Sequence, residues 1–124
     1  MDTEKPLYWI GSSHKDLIKL PRETRKTFGF ALSLAQHGDR HPAAKTLRGF
    51  HGAGVIELIE DDAHGTYRAI YTVKFDVGIF VLHCFQKKSK QGRAVPKEDL
   101  DIIHIRLKVA EVMAKELKPE APTH

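Results

Sequence analysis

The chain has 124 residues, a formal net charge of +4, 41% hydrophobic and 29% charged residues. That length and composition exclude a disordered chain, and no apolar run approaches the roughly 20 residues of a membrane helix. A single cysteine, Cys84, excludes an intramolecular disulfide and a cysteine-based zinc cluster.

Leu7 to Gly11 (Leu-Tyr-Trp-Ile-Gly) is rich in aromatic and β-branched types and reads as a short strand. Ser12 and Ser13 then offer an N-cap for a short helix through Leu20. Pro21 suits the first turn of a second helix, which runs to about His37 and stops at Gly38. Phe28, Ala31, Leu32 and Ala35 recur at helical spacing and form its buried stripe, so the two segments make a helical hairpin. Gly38 to Gly54 is broken by four glycines and Pro42 and reads as loop; it carries Arg40, Lys45 and Arg48.

Three strands follow. Val55 to Glu60 is the first, with a polar turn over Asp61 to Gly65. Thr66 to Phe75 is the second, with a tight turn over Asp76 to Gly78, and Ile79 to Lys87 is the third. Short connections make these neighbours antiparallel. The third strand is apolar on both faces, Ile79, Val81 and Phe85 against Phe80, Leu82 and Cys84, so it belongs inside the sheet. From His83 to Lys97 the chain carries Lys87, Lys88, Lys90, Arg93 and Lys97 and no acid.

Pro96 opens the last helix, with Glu98, Asp99 and Asp101 in its first turns and Lys115 and Lys118 near its end, as the helix dipole favours. Leu100, Ile103, Leu107, Ala110, Ala114 and Leu117 form one apolar stripe, and Ile102, Ile105, Val109, Val112 and Met113 a second. The reading adopted for the second stripe is a fully packed terminal helix; the alternative is a partner-binding face. Residues 118–124 read as a tail. The order is that of one α+β domain over 1–124: an N-terminal strand and helical hairpin, an antiparallel sheet of about four strands with helices on one side, and a C-terminal helix.

Several pieces now assemble. Leu47-Arg48-Gly49-Phe50, Val55-Ile56-Glu57-Leu58, Tyr67-Arg68-Ala69-Ile70-Tyr71, Leu82-His83-Cys84-Phe85-Gln86-Lys87-Lys88-Ser89 and Pro96-Lys97 occur in that order. Together they resemble the phage-derived, HigB-like branch of the RelE/ParE toxin superfamily, over about Leu7 to Leu117. The resemblance implies a RelE-like fold and the toxin of a type II toxin–antitoxin system. It implies a ribosome-dependent messenger-RNA endonuclease, free of cofactor and metal, acting through 2′-OH attack. A sister branch poisons DNA gyrase instead, and a non-toxic nucleic-acid- or protein-binding module is a third function open to the same fold. The implied partners are a helix-turn-helix antitoxin, the ribosome and messenger RNA. Operator DNA would be met only through the antitoxin. The expected location is the cytoplasm, since Met1 to Tyr8 has no apolar core of the signal-peptide type.

Metal-free RNA cleavage needs a base for the 2′-OH, positive charge for the phosphate and relief of charge on the 5′-oxygen. By the resemblance, Arg68 matches the strand arginine that contacts the scissile phosphate; its alternative is an ion pair with a cross-strand acid such as Glu57. Arg68 shares a face with Ile70, Thr72 and Lys74, while Tyr67, Ala69, Tyr71 and Val73 are assigned to the core. Lys87 and Lys88 occupy the catalytic basic region; adjacent strand residues point to opposite faces, and the sequence does not choose between them. His83 is a candidate acid or base, or a packed, hydrogen-bonded core residue. His51 has a similar claim from the glycine-rich loop. Lys45, Arg48, Lys74, Lys90 and Arg93 are expected to form an RNA-binding rim. No tyrosine follows Tyr71, where RelE-type members carry one near the C-terminus, so the general base has no clear match. No histidine has metal-ligand spacing.

Overall fold

The computed structural model describes residues 4–87 and 94–118. Strand β1 (Leu7–Trp9) leads into helices α1 (Ser13–Ile18) and α2 (Arg22–Gln36). Four strands follow, β2 (Ala44–Thr46), β3 (Val55–Asp62), β4 (Gly65–Thr72) and β5 (Ile79–Lys87), and helix α3 (Lys97–Leu117) closes the described chain. The architecture is α+β, consistent with a RelE-like fold.

The sheet has five strands in the order β1-β5-β4-β3-β2. β2 to β5 are antiparallel neighbours, while β1 runs parallel to β5, with Leu7 opposite Ile79. The sheet is therefore mixed, not antiparallel throughout, because the hairpin α1–α2 and β2 intervene before the chain returns to that edge. β2 lies inside the stretch read as loop. It has only three residues, two of them exposed, and its glycine- and proline-rich surroundings hid it.

The helices do not share one side. α1 and α2 cover one face, where Leu17, Phe28, Ala31, Leu32 and Ala35 meet Ile56, Leu58, Tyr67, Ala69, Tyr71 and Cys84. α3 covers the other, where Ile103, Leu107, Ala110 and Ala114 meet Val55, Ile70, Phe80 and Leu82. Burial on both faces explains why β4 is buried at every position although its sequence alternates only weakly. Tyr67, Ala69 and Tyr71 do face the core, but so does Ile70 on the side assigned to Arg68.

An irregularity between Ile70 and Tyr71 resets the faces of β5. Ile70 pairs with His83 and Tyr71 with Val81, so Leu82 is left as the extra residue of a bulge. Ile79, Val81 and Cys84 consequently share the α2 side, and Phe80, Leu82 and Phe85 the α3 side. Regular alternation had paired Phe85 with Ile79 and Val81, and Cys84 with Leu82. The bulge also turns His83 towards α3.

The second stripe of α3 is only partly packed: Met113 lies against the sheet-side core and Ile102 is half-buried, but the rest stands in solvent. Ile105 is 64% exposed, Val112 57% and Val109 44%, on the side opposite Ile103 and Ala110. One helix on one sheet face buries about half its circumference, and nothing among the described residues covers the rest. No helix among the described residues is long and apolar enough to cross a membrane.

Candidate functional site

Beyond the N-terminal end of α3 the sheet carries a polar face. Cross-strand register sets it: Ile59 lies opposite Arg68, which lies opposite Phe85, and Asp61 opposite Thr66, which lies opposite Lys87. Lys45 lies opposite Glu57, which lies opposite Ile70. Directly opposed residues project to the same side of a sheet. Lys45, Glu57, Asp61, Arg68 and Lys87, from four strands, therefore stand on one face.

Arg68 is the centre of this group and only 3% exposed. Its Nε lies 3.3 Å from Glu57 Oε2, an ion pair in which the N–H is not aimed at the oxygen. Its Nη1 donates to the Thr66 hydroxyl, to the Tyr67 carbonyl at 3.1 Å, and to Asp61 Oδ1 at 3.3 Å. Glu57 is 1% exposed, and its second oxygen faces Lys45 Nζ at 3.6 Å. The cross-strand acid named as the alternative partner of Arg68 is thus its partner in the structure. Burying a carboxylate and a guanidinium requires such mutual neutralisation.

Lys87 is buried beside this group, opposite Thr66. Lys45 and Arg48 are exposed, as is His51, whose φ of 44° is in the left-handed region. Lys74 does not join this group. It lies just beyond the end of β4, six residues after Arg68 and roughly 20 Å from it at strand rise. There it lines a groove of about 880 Å³ with Tyr8, Phe75 and Leu117 at the far end of α3. Lys88, Lys90 and Arg93 lie outside the described residues.

His83 joins the sheet to α3. One ring nitrogen, Nε2, meets Asp99 Oδ1 at 2.7 Å, and the other, Nδ1, faces Arg106 Nη1 at 3.4 Å. The ring stacks on Phe85 with centroids 4.6 Å apart. An Nε2–H donated to Asp99 leaves Nδ1 to accept from Arg106, which fixes a neutral tautomer. Arg106 also donates to the Leu82 carbonyl at 2.9 Å and to Ser12 Oγ at 3.0 Å, and Ser12 Oγ donates to Asp16 Oδ2 at 2.6 Å. Ser12 thus holds an inter-element bridge in place of a helix cap. Gly11 permits the approach: its φ is +56°, and a Cβ there would sit 2.8 Å from Arg106 Nε.

The sequence did not point to Asp99 or Arg106. They lie 16 and 23 residues from His83, on a different element. The available signal was a histidine in an apolar strand, which needs a partner, and two charges seven residues apart on one helix.

Burial pushes the His83 pKa below its ordinary 6.5, outweighing the opposing pull of Asp99. Below about pH 6.5 the unfolded chain takes up a proton that the folded chain resists, so stability is retained above that pH and lost as pH falls past it. The thermal midpoint should drop between about pH 7.5 and 5.5, and drop less in His83→Gln. Equal drops in the two proteins would remove His83 as the cause. Burial likewise pushes the Cys84 thiol up to about 12, so this cysteine behaves as a small core hydrophobe.

Among the described residues no three of His, Cys, Asp and Glu stand close enough to hold a metal ion. A family model described as "Phage derived protein Gp49-like (DUF891)" matches residues 15–108. That span includes Lys45, Glu57, Asp61, Arg68, His83, Lys87, Asp99 and Arg106. No curated protein matches the chain.

Proposed function

The chain belongs to the Gp49-like family of phage-derived proteins, and from that premise we propose that it is the HigB-like toxin of a type II toxin–antitoxin pair, an endonuclease of translated messenger RNA. The observation that carries this reading is the convergence of Lys45, Arg68 and Lys87 on one sheet face beyond α3. Three cations from separate strands, set against two carboxylates, give a polyanion a place to bind and a phosphate a guanidinium to meet.

In this reading Arg68 meets the scissile phosphate and stabilises the charge that builds on it as the 2′-oxygen attacks. Lys87 or Lys88 relieves charge on the departing 5′-oxygen. Lys45 and Arg48 guide the backbone, which positions RNA without reading its sequence. Both nitrogens of His83 are engaged, so its part is to fix α3 against β5 at the margin of the site. The exposed stripe Ile105, Val109 and Val112 gives a helix-turn-helix antitoxin an apolar surface to cover.

The test is inducible expression with 5′-end mapping of messenger RNA, comparing the native chain with an Arg68→Lys, Lys87→Ala, Lys88→Ala variant. New 5′ ends on translated messages, reduced at least about 100-fold in the folded variant, are expected for loss of transition-state charge stabilisation. Growth arrest with intact messages would sink the nuclease and favour a toxin of the gyrase-binding kind.

A further inference from the structure

We infer that Asp61 is a phosphate-mimicking latch on Arg68, a carboxylate that an RNA phosphate displaces when the site is occupied. The inference rests on the RNA-binding reading above and names a residue that the reading does not use.

Four groups surround the Arg68 guanidinium: Glu57, Thr66, the Tyr67 carbonyl and Asp61. They are not equivalent. Glu57 and Thr66 are buried, and the carbonyl belongs to the strand, so none can leave without opening the sheet. Asp61 stands at the end of β3 with a side chain 64% exposed, yet its Oδ1 reaches Arg68 Nη1 at 3.3 Å. Of the four acceptors it is by far the most exposed to water, so its contact with Arg68 is the one an incoming anion can exchange with. A carboxylate oxygen and a phosphate oxygen ask the same of a guanidinium N–H, so each occupies the other's place.

The charges agree. Among the described residues of this face, Lys45, Arg68 and Lys87 carry three positive charges and Glu57 and Asp61 two negative, one net positive charge. With Asp61 swung out, the place it held beside Nη1 is open to the oxygen of an arriving anion. A latch of this kind lowers affinity for stray anions and leaves binding to a ligand that offers several phosphates at once, as a nucleic-acid strand does.

The latch is tested with an uncleavable single-stranded 2′-O-methyl oligoribonucleotide, its binding followed by fluorescence anisotropy at fixed salt. Asp61→Asn removes the competing charge and should bind about two- to five-fold tighter than the native chain, the range set by exposed ion pairs. Asp61→Glu restores a carboxylate and should return affinity towards native. Asp76→Asn removes the same net charge at the turn before β5 and should change affinity less than Asp61→Asn. Asp61→Ser serves in place of Asn if that variant does not fold, with the same gain expected. Equal gains from Asp61→Asn and Asp76→Asn would overturn the latch in favour of bulk charge. Native binding with no gain in Asp61→Asn would overturn the latch and leave RNA binding standing. No binding by any of these proteins would overturn the latch, while the nuclease reading stands or falls separately on the 5′-end mapping.

Discussion

Replacing Glu57 by alanine is expected to lower folding stability by about 3 kcal/mol and the thermal midpoint by roughly 12 °C. The reason is what remains behind. Arg68 would keep Thr66, the Tyr67 carbonyl and Asp61, but only the last is charged, and it is exposed. A guanidinium only 3% exposed would lose the carboxylate buried beside it. The converse experiment separates stability from function. Replacing both members by apolar residues of similar volume, Glu57→Met with Arg68→Leu, removes the desolvation cost along with the attraction. The double variant should recover most or all of the lost stability and still produce no new messenger-RNA ends. That outcome would mean the pair is kept for its chemistry. A double variant as unstable as Glu57→Ala would mean that the pair is an ordinary structural bridge.

The Glu57–Arg68 pair was legible in the sequence because cross-strand reach is a local property of a hairpin. A glutamate on one strand and an arginine on the next, joined by a short polar turn, have few other partners. The helices were legible for a similar reason: Pro21 and Pro96 mark starts, and the stripe Phe28, Ala31, Leu32 and Ala35 is unambiguous. What stayed hidden depended on the backbone departing from its period. The bulge at Leu82 shifts the faces of His83, Cys84 and Phe85 by one residue, and no residue type announces it. Without that shift His83 would face α2, and neither Asp99 nor Arg106 would reach it. The parallel pairing of β1 with β5 was hidden too, since a three-residue strand gives no sign of which edge it will join.

α3 shows a second kind of ambiguity, and it sets the other large effect. A helix with one apolar stripe declares which side it buries; a helix with two does not. Ile103 and Ile105 are the same residue type two positions apart, and the sequence ranks neither above the other. In the fold Ile103 is fully buried against the sheet, with Leu107 and Ala110 in the same cluster, whereas Ile105 is 64% exposed. Ile103→Ala should therefore cost about 2–5 kcal/mol, the transfer of the lost methyl groups plus the cavity they leave. Ile105→Ala should stay within about 0.5 kcal/mol, because the side chain is largely in water already and alanine favours the helix. Urea unfolding midpoints of the two variants measure the difference. Comparable losses would mean that the second stripe is covered in solution, and a midpoint for Ile105→Ala that varies with protein concentration would show that another copy covers it. If the losses differ as expected, the exposed stripe is not maintained by folding of this chain. Selection for an apolar surface there would then act through a partner, the place the proposed antitoxin would fill.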